Sequence, residues 1–515
     1  MARRTGIATA AALIALGNIA SRVVGQLRES VTADLFGAGI DASAYALASR
    51  VPTTLYDFIV GGLVSAALVP VFSELAEKDE DELGVVAGSV FSAAALLTVV
   101  VAAVAWLFAP AIGTLMTLTA GPSPIRDTTT TLIRWMLPAT VLMAGSGLIT
   151  GLLQARRSFL LPAFATAAFN VGIISGAWAL SGAIGVRSLA VGMVLGAGLQ
   201  VLLQLPGLRG TRLRAGLRLG HPAVRRIGRL YVPVLIGLGF GLVGTSVDAA
   251  LASGIAADAP AVMRYATTLV QLSLGIIATA VSLAVLPTLA RQGADAADLD
   301  DYRRTLTLGL KVVLLLILPV TAALAALARP VVVLLFQHGE FTRVNTATTT
   351  RALLFYLPSL VAAAVDQPLI FAFYARKNTL LPNLVNGAAI LTYLLVAFGT
   401  VRLLGLYGLI LANGLQWTIH ALLMLWFAHR RLDALRGQAL GTAFGKGLIA
   451  SVAAGVLGYG AAGLLPAPEG KLAALSAIAL GGTVIAFAYA AFVWMLRMEA
   501  LDLLVLGVRR RLSRA

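Results

Sequence analysis

Cysteine is absent from this 515-residue chain, which excludes disulfides and thiol chemistry and leaves the redox compartment open. Charge is scarce as well: 12% of residues are charged and 59% are hydrophobic, a balance that no soluble globular chain of this length needs. Only four histidines occur, and His338 with Glu340 has no second histidine at metal-ligand spacing. The nearest approach to a phosphate loop, Gly441 to Lys446, has too few residues between its glycines and Gly447 where Ser or Thr is needed. Neither an enzyme, nor a bound cofactor, nor ATP-driven transport by this chain alone is expected.

What the chain does have is apolar runs. Stretches of roughly 20 residues, each able to cross a hydrocarbon core of about 30 Å, recur from end to end with short polar breaks. They predict an all-α polytopic membrane protein of about 14 transmembrane helices, beginning near residues 7, 42, 85, 128, 161, 186, 231, 264, 305, 349, 380, 405, 442 and 471. The first run carries Arg22, Arg28 and Glu29 and no convincing signal-cleavage site, so it is expected to be a retained helix.

The formal net charge of +16 raises the question of nucleic acid, and the placement of the cations answers it. Loops and tails on one side, from Arg3 and Arg4 to Arg509, Arg510, Arg511 and Arg514, hold 25 Lys and Arg; the opposite loops hold Arg126, Arg187, Arg264, Arg343, Arg402 and Lys471. This asymmetry follows the positive-inside rule, so both termini are expected in the cytoplasm and no nucleic-acid partner is expected.

The sequence also repeats itself. Leu137-Pro138, Ala155-Arg156-Arg157 and Leu160-Leu161-Pro162 reappear 220 residues later as Leu357-Pro358, Ala375-Arg376-Lys377 and Leu380-Leu381-Pro382. Six crossings between copies give two parallel six-helix repeats plus two C-terminal helices. The expected organisation is an N-terminal six-helix lobe over 1–206, a basic cytoplasmic linker over 207–230, a second lobe over 231–432, and helices 13 and 14 with a basic tail over 433–515. The seven arginines of the linker are expected at the cytoplasmic surface, against anionic lipid headgroups or merely solvated.

Ionisable side chains within a spanning helix need a partner or an aqueous cavity. On the first helix Asn18, Arg22, Gly25 and Glu29 share one face, flanked by Gln26 and Arg28; on the second Arg50, Thr54 and Asp57 share another. Pairing of Arg22 with Glu29 and of Arg50 with Asp57 would leave Arg28 without an opposite charge, as an anionic ligand requires. Arg264, Thr267, Thr268 and Gln271 line one face of the eighth helix. Asp248, in the seventh, is a candidate for binding Na⁺ or H⁺, or for a plain ion pair, while His420 is read as a packed polar residue.

Several of these residues belong to a wider pattern: Ser21-Arg22, Gly25 and Arg28-Glu29; Phe36-Gly37-Ala38-Gly39 with Asp41; Pro52; Leu153-Gln154-Ala155-Arg156 with Pro162 and Asn170; Leu203-Gln204-Leu205-Pro206; and Phe336-Gln337-His338-Gly339-Glu340-Phe341-Thr342. In these the chain resembles the MurJ (MviN) family of lipid II flippases, within the multidrug/oligosaccharidyl-lipid/polysaccharide exporter superfamily. The resemblance implies alternating access in the bacterial inner membrane. It also implies an undecaprenyl-diphosphate-linked peptidoglycan precursor as substrate, with membrane lipids and other cell-wall synthesis proteins as partners. It further implies a cationic cavity in which Arg22 and Arg28 match the first-helix positions and Arg50 a basic position in the second. Tyr56 and Thr268 stand where the family has further arginines, and an aliphatic residue near Leu395 stands for an acid of the family's sodium site, whose seventh-helix acid is matched by Asp248. Export of another lipid-linked glycan or amphipathic compound, or a non-transporting scaffold, stays open.

Overall fold

The computed structural model describes residues 7–121, 123–214, 216–293, 299–376, 378–432 and 438–498; the side chains of 7–12, 65–66 and 232–243 are not among those described. The expectations for Arg3, Lys377 and the tail from 499 therefore lie outside the described residues. Within them every regular element is a helix. That follows from the solvent: in hydrocarbon each backbone N–H and C=O must be satisfied inside its own segment, which a helix does.

The chain divides into two compact units, Met1–Arg264 and Tyr265–Ala515. In the first, α1 (Ile7–Phe36) is followed by a broken segment: α2 (Ile40–Ala48), α3 (Arg50–Tyr56), two π-helical turns over Asp57–Gly61 and Val64–Leu68, and α4 (Val69–Lys78). Then come α5 (Glu80–Leu107), short α6 (Ala109–Met116), α7 (Pro124–Ala155), α8 (Leu160–Ile184), α9 (Arg187–Gln204) and α10 (Pro222–Ile255). The core of this unit is built by α2, α7, α8 and α9 around Tyr45, Leu132, Met136 and Leu189. Gly172 and Gly176 of α8 face Gly196 and Gly192 of α9 so closely that a Cβ at Gly176 would lie 2.4 Å from the Gly192 Cα. Small residues at i, i+4 let two backbones approach where lipid gives no hydrophobic drive.

Helix α11 (Ala259–Gln292) begins in the first unit and continues in the second, which adds α12 (Leu299–Ala326), α13 (Ala328–Phe336), α14 (Arg343–Ala375), α15 (Leu380–Leu404), α16 (Leu406–Leu432), α17 (Leu440–Gly463) and α18 (Lys471–Met495). The internal repeat is visible element by element. Helices α8 and α15 start at Leu160 and Leu380 and end at Ile184 and Leu404. Each is closed by a glycine in the left-handed region, Gly185 (φ 57°) and Gly405 (φ 55°), where a side chain would be strained. Pro162 and Pro382 both take the third position of their helices, and Pro138 and Pro358 lie inside α7 and α14. Within the first unit α7 packs on α5 and α9, and α8 on α9; within the second α14 packs on α12 and α16, and α15 on α16. The appended α17 and α18 pack on each other and on α12.

Among the described residues 11 helices are long and apolar enough to cross a membrane, so the expected count of 14 is not confirmed. The expected first and seventh spans fall on α1 and α10, which include the undescribed side chains of 7–12 and 232–243, and the second segment is broken into short pieces. The exposed linker also meets protein acids. Arg226 bonds Glu74 at 2.7 Å, Arg212 and Arg214 lie 3.9 Å from Asp81, and the Arg214 N–H donates to the Gly84 carbonyl at 3.1 Å. The acidic stretch of 74–82 supplies the counter-charges that Arg-rich sequence alone could not locate.

Candidate functional site

Glu29 is the centre of the first unit's polar interior. It lies on α1, is 1% exposed, and is gripped by two guanidinium groups. Arg264 donates from Nε to Oε2 at 2.8 Å and from Nη2 to Oε1 at 2.9 Å, the parallel fork that arginine forms with carboxylates. Its Nη1 reaches the Ser49 hydroxyl at 2.9 Å, and its guanidinium carbon sits 4.5 Å from the centre of the Tyr45 ring. Arg28 bonds Glu29 from Nη2 and donates from Nη1 to Asn170 of α8 at 2.9 Å. The Asn170 amide is in turn held by the carbonyls of Ser21 and Thr166. Gly25, one turn before Glu29, lies beside Asn170, and a Cβ there would make an ordinary contact at 3.5 Å with the Asn170 amide nitrogen.

A second pair lies deeper along the chain. Arg50, at the start of α3, places Nη1 3.2 Å from Oδ2 of Asp248 and 3.2 Å from the Thr245 carbonyl, both on α10. Asp248 is 8% exposed.

The structure thus pairs the expected residues differently. Arg28, read from sequence as lacking an opposite charge, bonds Glu29, and Glu29 is held by Arg28 and Arg264 where Arg22 was expected. Arg50 meets Asp248, and Asp57 is exposed on the first π-turn. Arg264, counted among the cations of the opposite side and placed on one face of the eighth helix, lies within α11. Arg22 is half-buried on α1 and Asn18 is exposed. Tyr56 is half-buried with its hydroxyl against Gly147 of α7, where a Cβ would come within 3.0 Å. Thr268 is half-buried on α11, in the second unit. Sequence reasoning gave neither Arg264 nor Asn170 a role at Glu29. Both contacts span more than a hundred residues, and no helical periodicity reports them.

Two guanidinium groups thus converge on one buried carboxylate of α1. The family model described as lipid II flippase MurJ matches residues 32–469, most of the chain. The chain belongs to the MurJ family. A relative from Burkholderia cenocepacia named lipid II flippase MurJ is 28% identical over 419 residues, covering 78% of this chain and 80% of the relative. A relative from Synechocystis named probable lipid II flippase MurJ is 27% identical and covers 87% of both chains. Among solved structures, one of lipid II flippase MurJ in an inward closed conformation superposes with a TM-score of 0.79 at 21% identity, over 94% of this chain and 99% of that one. A multidrug resistance MATE family transporter in an inward-facing conformation gives a TM-score of 0.64 at 16% identity, covering 81% and 95%. The fold is therefore that of MurJ and MATE transporters, and the chain is a multi-pass inner-membrane transporter of the MurJ family, not an enzyme.

Proposed function

We propose that this chain moves lipid II, the polyprenyl-diphosphate-linked peptidoglycan precursor, from the cytoplasmic to the outer leaflet by alternating access. Membership of a family of lipid II flippases supports the substrate class. The observation that carries the chemistry is the sharing of Glu29 by Arg28 and Arg264, which gathers two guanidinium groups at one buried carboxylate. A diphosphate arriving there can take the donors of Arg28, and Arg22 one and a half turns earlier on α1 adds to the same charge. Arg264 precedes Thr268 by one turn of α11, so it offers its charge close to the place where the family resemblance expects an arginine.

In this reading Arg50 and Asp248 form a second element of the site, and Asn18, Tyr56 and Asp57 contribute polar lining. Asp248 becomes available to a coupling cation, Na⁺ or H⁺, once Arg50 turns to the substrate. Both termini and the 207–230 linker are cytoplasmic, with six-helix lobes over 1–206 and 231–432 followed by the pair of helices in 433–515. Other cell-wall synthesis proteins are natural partners for a chain that delivers this precursor. Outward movement of an anionic headgroup through an inside-negative membrane is favoured by roughly 2.3 kcal/mol per charge per 100 mV.

The test is rescue of a bacterial strain depleted of its own lipid II flippase, with lipid II binding by native mass spectrometry beside it. Growth together with binding supports the proposal; stable expression with neither would refute it.

A further inference from the structure

The second unit buries an ionisable pair that the lipid-binding account does not use. Asp366 of α14 and His420 of α16 are 1% and 6% exposed, and His420 Nδ1 lies 2.7 Å from Asp366 Oδ2. The contact is out of line for a full hydrogen bond, and neither carboxylate oxygen has a hydrogen-bond partner among the described residues. The other ring nitrogen, Nε2, is 3.4 Å from the Pro382 carbonyl at the start of α15. One turn away on the same helices Ala363, Leu369 and Met424 are buried.

The first unit shows what the fold needs at this place. Ser146, 220 residues before Asp366, lies on α7, and its hydroxyl accepts from Gln204 Nε2 of α9 at 2.7 Å. Thr150 donates to the Gln204 carbonyl oxygen at 2.9 Å. The helix pair α7–α9 is thus joined by neutral, satisfied groups, whereas its counterpart α14–α16 is joined by a carboxylate and an imidazole. Packing alone does not call for ionisable groups there. Burying them costs free energy, which makes intramembrane acids and histidines functional candidates.

We propose that Asp366 and His420 form a proton-binding site in the second unit whose loading and unloading couples protons to the transport cycle. The coupling half of this statement rests on the flippase function proposed above; proton binding does not. One carboxylate and one imidazole offer too few oxygens for a metal cation, and among the described residues no group of three His, Cys, Asp or Glu could hold one. A proton needs only the pair. With a single proton the pair is neutral overall, as acid and imidazole or as carboxylate and imidazolium; gaining or losing one leaves a net charge in an apolar interior. Exchange therefore requires a state in which the site is wetted, and that requirement links it to conformation.

Other titratable and polar groups lie on the helices packed against the pair. Asp366 acts electrostatically on Tyr374, two turns on along α14. From α12, Tyr302 donates to the Ala372 carbonyl with Arg376 over its ring; from α11, Thr279 donates to Gln367; α15 contributes the Pro382 carbonyl. His420 is the titratable group in contact with Asp366.

The experiment has two arms on the full-length protein. Infrared titration in lipid nanodiscs should show a protonated-carboxyl band that changes with pH, is shifted in His420→Gln and disappears in Asp366→Asn. In liposomes with the membrane potential clamped at zero, a gradient of one pH unit should shift the leaflet distribution of labelled lipid II about tenfold for one proton per cycle. Asp366→Ser combined with His420→Gln, which copies the neutral join of the first unit, should fold and abolish that shift. A carboxyl band indifferent to pH or to Asp366→Asn, a wild type blind to the gradient, a full gradient response in the double variant, or failure of all three variants to fold would each overturn the proposal. If wild type titrates but moves no lipid II, proton binding stands, and the flippase function and the coupling built on it fall.

Discussion

Arg264 holds Glu29 by two parallel hydrogen bonds, at 2.8 and 2.9 Å, although 235 residues separate them. Glu29 therefore stays paired when Arg28 leaves it, which makes Arg28 the cation a ligand can recruit at least cost to the fold.

The first prediction follows from that difference. Arg28→Ala should weaken lipid II binding roughly tenfold to a hundredfold, since a charge-assisted hydrogen bond contributes about 1.5 to 3 kcal/mol. Arg28→Lys should retain part of the affinity, because charge survives without the planar fork. Thermal stability measured on the same samples should change little for either variant. Arg264→Ala should instead lower stability, by removing both Glu29 bonds and the contact with Tyr45.

Helix packing gives a second expectation. Gly176→Val forces a side chain to within 2.4 Å of the Gly192 Cα, so α8 and α9 must separate. Overpacking of this kind costs about 1–3 kcal/mol, and a lowered melting temperature with unchanged expression would register it. Gly182→Val on the same helix meets nothing within 4 Å and should be neutral.

Much of the architecture was legible in the sequence, because apolar runs and a constant offset are local or additive signals. Leu160-Leu161-Pro162 and Leu380-Leu381-Pro382 mark the starts of α8 and α15. The break in the second segment was not legible, since π-turns at Asp57–Gly61 and Val64–Leu68 leave no hydropathy mark. Side-chain pairing was the least legible. Helical wheels put Arg22 with Glu29 and Arg50 with Asp57 because they see one helix at a time, whereas the partners chosen, Arg264 and Asp248, come from distant helices. His420 looked like an ordinary packed polar residue for the same reason: its partner Asp366 stands on another helix.

The docked linker yields a third prediction. Hydrogen bonds from Lys78 and Arg226 hold the Glu74 carboxyl below the usual carboxylate range. A lowered folded value means that the carboxylate's contribution is present above its ordinary titration range and is lost as pH falls through the lowered value. At neutral pH, Glu74→Gln should mimic acidification and speed trypsin cleavage between Arg209 and Arg226. High salt should do the same in wild type, since these charges are exposed and screened. Cleavage unaffected by either change would show that the Glu74–Arg226 pair does not anchor the linker.

Orientation can be read without background, because the chain has no native cysteine. A cysteine at Gly216 should resist an impermeant thiol reagent in intact cells, and one at Thr342 should react. Labelling at Gly216 from outside would reverse the proposed topology.

The most direct test of the central claim is lipid II translocation by the purified full-length chain in liposomes, scored by enzymatic access to labelled headgroups in the outer leaflet. The account predicts transfer by wild type, faster when the potential favours outward movement of the anionic headgroup, and at least tenfold slower transfer by a stably folded Arg28→Ala at lipid II levels that do not saturate wild type. Equal transfer by wild type, Arg28→Ala and protein-free liposomes would contradict it.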